Sequence, residues 1–111
     1  MSDNETVSQL VHKAKLGDQV ALQQLLALHA SELSQFISQK CPSSQKALID
    51  PDDILQQMFI DAFRDIGRFE LRSKDAFLAW LKTIAEHRLQ DAVKAGQGAQ
   101  QKSLQQITRP A

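Results

Sequence analysis

Asp50-Pro-Asp-Asp-Ile-Leu-Gln-Gln-Met-Phe-Ile-Asp-Ala-Phe-Arg-Asp-Ile-Gly67 carries the clearest helix signals in the chain. Asp50 offers a capping carboxylate, Pro51 suits the first helical position, and Asp52 and Asp53 complement the positive first turn. Gly67 stops the helix at Ile66. At about 100° per residue the segment sorts into two faces. Leu55, Met58, Phe59, Ala62, Phe63 and Ile66 form the side expected to be buried, with Ile54 at its margin. Asp53, Gln56, Gln57, Asp61 and Arg64 form the polar side. Ile60 falls in the middle of that polar side. It is either one of the stray apolar residues that surfaces carry, or the centre of a contact patch with a polar rim.

Working outward, the same periodicity predicts helices on both flanks. Residues 5–16 place Val7, Leu10, Val11 and Ala14 on one face. Gly17 fits a left-handed position after that helix, and Asp18 can cap the next. Residues 19–40 continue as a helix, with a bend suggested near His29-Ala30-Ser31, until Cys41-Pro42 breaks it. After the linker Arg68–Lys74, a last helix runs from Asp75 to about Lys94, and Ala95-Gly96-Gln97-Gly98 ends it. Residues 96–111 read as a tail or the start of a linker. The expectation is an all-α, compact bundle of about four helices over residues 1–95.

Composition agrees with that fold and narrows the function. The 111 residues contain only 4 Gly and 3 Pro, no Tyr, and an apolar fraction of 42%. Lys and Arg number 13 and so do Asp and Glu, which excludes a protein held on DNA by bulk charge. The single Cys41 rules out an internal disulfide and suits a reducing cytoplasm. No stretch approaches the roughly 18 apolar residues of a membrane span. His12, His29 and His87 are too scattered to ligate a metal, and neither a P-loop nor a nucleophile with an aligned base is present. No metal, no cofactor and no enzymatic activity are expected.

The last helix buries Phe77, Leu78, Leu81, Ile84, Ala85, Leu89 and Ala92. Its open face carries Ala79, Lys82, Thr83, Glu86, His87, Gln90 and Lys94, with Trp80 and Asp91 at the boundary. That face suits a helix laid against bases, although ordinary solvated helices look similar. Arg88 falls in the apolar arc, where it must snorkel or pair with a carboxylate from a neighbouring helix. Trp80 either stacks on a base or closes the core with its N–H turned to solvent.

Taken together, Asp50–Phe69 and the segment Ala76-Phe-Leu-Ala-Trp-Leu-Lys-Thr-Ile-Ala-Glu-His-Arg-Leu-Gln-Asp-Ala-Val93 resemble region 2 of bacterial sigma factors, of the extracytoplasmic-function (ECF) group. The opening Leu10–Leu26, with its Gly17-Asp18 helix start, is similar to the same family. The resemblance covers roughly residues 7–95. It implies that Asp53, Gln56, Gln57, Ile60 and Asp61 form the face that docks on the β′ clamp coiled coil of core RNA polymerase. It implies that the linker Glu70–Asp75, including Arg72, Ser73 and Lys74, captures a flipped base of the promoter −10 element. Trp80, Lys82, Thr83, Glu86, His87, Gln90 and Lys94 then face the melted non-template strand.

An anti-sigma factor is a further partner the resemblance implies. The chain departs from the family where Lys94-Ala-Gly-Gln-Gly-Ala-Gln-Gln-Lys102 replaces an Arg-rich run, which predicts weak independent phosphate binding. The helix-turn-helix domain that reads the −35 element is not in these residues, so the expectation is a fragment, with a region-2-only protein as the alternative. The alternative of another class is a helical protein–protein adaptor that uses the Ile60 patch and has no DNA role.

Overall fold

The computed structural model describes the backbone of residues 3–108 and the side chains of residues 6–73 and 75–96. It contains helices α1 (Asp3–Lys15), α2 (Gln19–Lys40), α3 (Pro51–Asp65) and α4 (Lys74–Thr108), and no strand among the described residues. Two short 3-10 turns, Ser43–Gln45 and Ile66–Arg68, bracket α3. The start signals act as expected. Gly17 adopts φ +102°, and Asp18 caps α2 by accepting from the Ala21 N–H at 3.1 Å. Asp50 caps α3 by accepting from the Asp52 N–H at 2.9 Å.

One core joins the four helices. Leu22, Leu25, Leu33 and Ile37 of α2, Ile54, Met58 and Ala62 of α3, Ile66 just beyond it, and Phe77, Leu81 and Ala85 of α4 are all buried. Val11 and Ala14 seat α1 against the rest of this core. The 22 residues of α2 form one helix, with no break at His29-Ala30-Ser31. There Leu25, Leu33 and Ile37 keep one buried stripe in register, and His29 packs its ring 5.8 Å from Phe77.

Two expectations need correction. The buried stripe of α3 is Ile54, Met58, Ala62 and Ile66, whereas Leu55, Phe59 and Phe63 are only half-buried. On a wheel of about 100° per residue, that stripe is rotated roughly 50° from the centre expected from hydrophobicity. The cause is packing on two flanks. α2 covers the Leu55 and Phe59 side, and α4 covers the side of Ile54 and Asp61. Ile54 therefore sits in the core instead of at its margin.

The second correction concerns α4, which does not stop at Ala95-Gly96-Gln97-Gly98 but continues to Thr108. A glycine inside a helix costs only about 1 kcal/mol relative to alanine, and the neighbouring Ala, Gln and Lys are good helix formers. Gly96 also has a packing role. A Cβ there would lie 2.8 Å from Oε1 of the buried Gln45, so the glycine admits the 3-10 turn against the helix.

Candidate nucleic-acid interface

The outward face of α3 keeps most of its expected members. Asp53, Gln56 and Gln57 are exposed and surround Ile60, which is 63% exposed. Asp61 does not belong with them. Its side chain is 15% exposed and turns towards α4, where its carboxylate accepts from Arg88 Nε at 2.5 Å and Nη2 at 2.8 Å. These bonds also raise the Arg88 guanidinium further above its ordinary value. Arg64 stands 3.6 Å from Asp61 and donates twice to Asp65 at 3.0 Å, which holds the Asp65 carboxyl below its usual range. The α3 patch is thus an apolar side chain ringed by glutamines and one free-standing carboxylate, with Asp61 withdrawn into a brace between helices.

The second group gathers around the turn from α3 to α4. Phe69 is buried, and its ring packs 5.5 Å from Phe77 and 5.0 Å from Trp80. Its carbonyl accepts from Lys15 Nζ at 2.6 Å, tying the loop to the end of α1. Beside these rings lies an open cavity of about 490 Å³, lined by Asp65, Arg68, Phe69, Glu70, Arg72 and Trp80. Arg72 donates to Glu70 from Nε at 3.3 Å and from Nη2 at 3.1 Å. The cavity is therefore lined by two aromatic side chains and by charged, hydrogen-bonding groups of both signs. A planar, polar-edged ring is the shape of ligand this suits.

Trp80 is half-buried at the boundary of the core. It packs against Phe69 and Phe77 and still lines the cavity. Ser73 is exposed, and its carbonyl accepts from the Ala76 N–H at 3.2 Å in the first turn of α4. The Lys74 side chain lies outside the described residues.

Along α4, Thr83, His87, Gln90 and Lys94 are exposed, while Lys82 and Glu86 are half-buried. Thr83 donates its hydroxyl to the Ala79 carbonyl at 3.1 Å, which leaves its lone pairs to accept. The remaining residues divide. Glu86, Gln90 and Lys94 line a groove of about 340 Å³ with Leu89, Val93 and, from the end of α2, Lys40 and Pro42. Lys82 instead holds its ammonium 5.7 Å from the Phe36 ring.

Sequence reasoning missed Asp65, Arg68 and Phe69 at the cavity and Phe36 and Lys40 on α2. For the last two a signal existed: an aromatic and a lysine four apart share one face of a helix.

Among the described residues, no group of three His, Cys, Asp or Glu side chains is placed to hold a metal ion. No described helix is long and apolar enough to cross a membrane.

Comparison with known proteins agrees with this geometry. Residues 25–98 match the model for Sigma-70 region 2. The ECF RNA polymerase sigma-E factors of Escherichia coli (strain K12) and Salmonella typhi are each 33% identical over 85 residues, covering 77% of this chain and 41% of theirs. RNA polymerase sigma factor CarQ of Myxococcus xanthus is 32% identical over 78 residues, covering 70% of this chain and 41% of its own. The chain spans about two fifths of the length of these relatives. A solved structure, the NMR complex of an engineered region 2 of sigmaE with GTAAAA, is similar with a TM-score of 0.67 and 28% identity. The likeness covers 86% of this chain and 93% of that one. The capped α3, the aromatic-lined turn and the polar face of α4 thus occur in a chain that belongs to the sigma-70 family, as a region 2 domain of the ECF group.

Proposed function

We propose that this domain binds the β′ clamp coiled coil of core RNA polymerase and reads the non-template strand of the promoter −10 element. It would act as a non-enzymatic initiation factor in the bacterial cytoplasm, at the nucleoid during initiation. The observation that carries this reading is the cavity of about 490 Å³ lined by Phe69 and Trp80 together with Asp65, Arg68, Glu70 and Arg72. An unstacked base presents two apolar faces and a polar edge. Stacking on an aromatic ring is worth about 1–3 kcal/mol per base, and polar side chains can tell the edges apart. Capturing such a base removes it from the duplex stack, so binding energy is converted into promoter melting.

The remaining surface fits the same task. Ser73, Thr83, Glu86, His87, Gln90 and Lys94 continue from the cavity onto α4, where adjacent bases and phosphates would lie. Docking of Asp53, Gln56, Gln57 and Ile60 on the clamp would present that surface to the promoter. Asp61 contributes to docking indirectly, by holding α3 against α4 through Arg88. An anti-sigma factor that covers either surface would silence the domain. The adaptor alternative uses the Ile60 patch alone and leaves the aromatic cavity without an occupant.

The test is fluorescence anisotropy with single-stranded GTAAAA, the sequence bound by the similar engineered region 2, beside a scrambled strand and a duplex. With zero formal net charge, the domain should bind duplex poorly and with a shallow salt dependence. Measurable affinity should appear for the single strand, and Ser73→Ala or Glu86→Ala should flatten its preference over the scrambled one. Tight, salt-steep binding to any duplex would overturn the reading, as would failure to bind any single strand.

A further inference from the structure

Phe36 lies on α2, a helix to which the reading above gives no part in DNA binding. Its half-buried ring is approached by two ammonium groups from different helices. Lys40 Nζ stands 5.8 Å from the ring centroid and Lys82 Nζ stands 5.7 Å from it. Among the described residues, neither lysine has a carboxylate within ion-pairing distance.

Two like charges gathered on one ring repel each other unless an anion joins them. The ring quadrupole attracts both, so it holds them in place without neutralising either. The adjoining groove adds Lys94 and Gln90, and also the one acidic group, Glu86. The local surplus is thus positive in a molecule whose formal net charge is zero.

We propose that Lys40 and Lys82 form a phosphate clamp for single-stranded DNA, with Phe36 as the positioning residue that sets their spacing. This rests on the base-reading function above and extends its surface from α4 onto the end of α2. The occupant is the sugar–phosphate backbone and not a base. Lysines act as point charges suited to phosphate, and the ring is already engaged by the two ammonium groups. The clamp therefore adds affinity and register without sequence information.

The experiment measures anisotropy of the full chain with cognate and scrambled single strands across a salt series. Each phosphate contact contributes about 0.7 to the slope of log affinity against log salt on single strands. Lys40→Gln should lower that slope by about 0.7, so that affinity changes about fivefold less per tenfold change in salt. It should weaken cognate and scrambled strands equally, and Lys40→Arg should restore the slope. Phe36→Leu, which keeps apolar bulk, should lower the slope in part, with its thermal melt confirming the fold.

An unchanged slope in Lys40→Gln, with Ser73→Ala still flattening sequence preference, overturns the clamp and leaves the base-reading function standing. A loss of sequence preference in Lys40→Gln also overturns it, because a phosphate contact carries none. If the unmodified chain binds no single strand, both fall.

Discussion

Replacing Asp61 by alanine should cost about 2 kcal/mol of folding stability. The Asp61 carboxylate accepts two hydrogen bonds from Arg88, at 2.5 and 2.8 Å, across the α3–α4 contact. A hydrogen bond to a charged group contributes roughly 1.5–3 kcal/mol, while an exposed ion pair contributes at most about 1 kcal/mol. The pair lies between these limits, with the Asp61 side chain 15% and the Arg88 side chain 29% exposed. Arg88 keeps enough access to water to avoid the 3–5 kcal/mol of a fully stranded buried charge. At about 4–8 °C per kcal/mol for a domain of this size, the melting temperature should fall by roughly 8–16 °C.

Urea unfolding of Asp61→Ala, Arg88→Ala and the double variant gives the coupling directly. It should be about 1–2 kcal/mol, with the denaturant slope unchanged. A coupling below about 0.3 kcal/mol would refute the brace and return Asp61 to the outward patch. Polymerase capture by Asp61→Ala, measured well below its melting temperature, should stay near that of the unmodified chain.

Other substitutions separate core from surface. Phe77→Ala, at a fully buried position, should cost about 3–5 kcal/mol, whereas half-buried Phe63→Ala should cost clearly less in the same urea titration. Equal costs would refute the rotation of α3. Ile60→Asp should abolish capture by a β′ clamp coiled-coil fragment while shifting the thermal melt by less than about 0.5 kcal/mol equivalent. A large stability loss would place Ile60 in the core. Burial lowers the pKa of His29 below its ordinary 6.5, an effect Glu32 partly offsets, and Nε2 is buried without a partner. The unfolded chain therefore takes up the proton first. Stability should be fully present above about pH 6.5 and fall as pH drops towards the folded pKa. His29→Gln should remove that part of the dependence between pH 7.5 and 5.5, and an identical profile would refute it.

Local chemistry was the most legible part of the sequence. Asp18 and Asp50 cap their helices through side chains within two or three residues of the bonded N–H, so no tertiary knowledge is needed to place them. Features set by two neighbours at once were less legible. Hydrophobicity centres the α3 face between Leu55 and Ile66, but α4 draws one flank inward and buries Ile54. The same crossing converts Asp61 from an outward carboxylate into the partner of Arg88, a residue whose need for a carboxylate was visible although its source was not. Gly96 looks like a stop signal because its role, admitting Gln45, depends on a turn 51 positions earlier in the chain. The cavity beside Trp80 needed Phe69 and Arg68 from beyond α3, which periodicity alone cannot bring together.

Selection from a randomised single-stranded DNA pool, against a duplex pool of the same sequences, decides whether the domain reads unpaired bases. A short enriched motif should appear in the single-stranded pool alone, lost when Ser73 and Glu86 are both alanine and retained, at lower affinity, in Lys94→Ala. Enrichment of duplex, or single-strand binding with no motif, would contradict base reading.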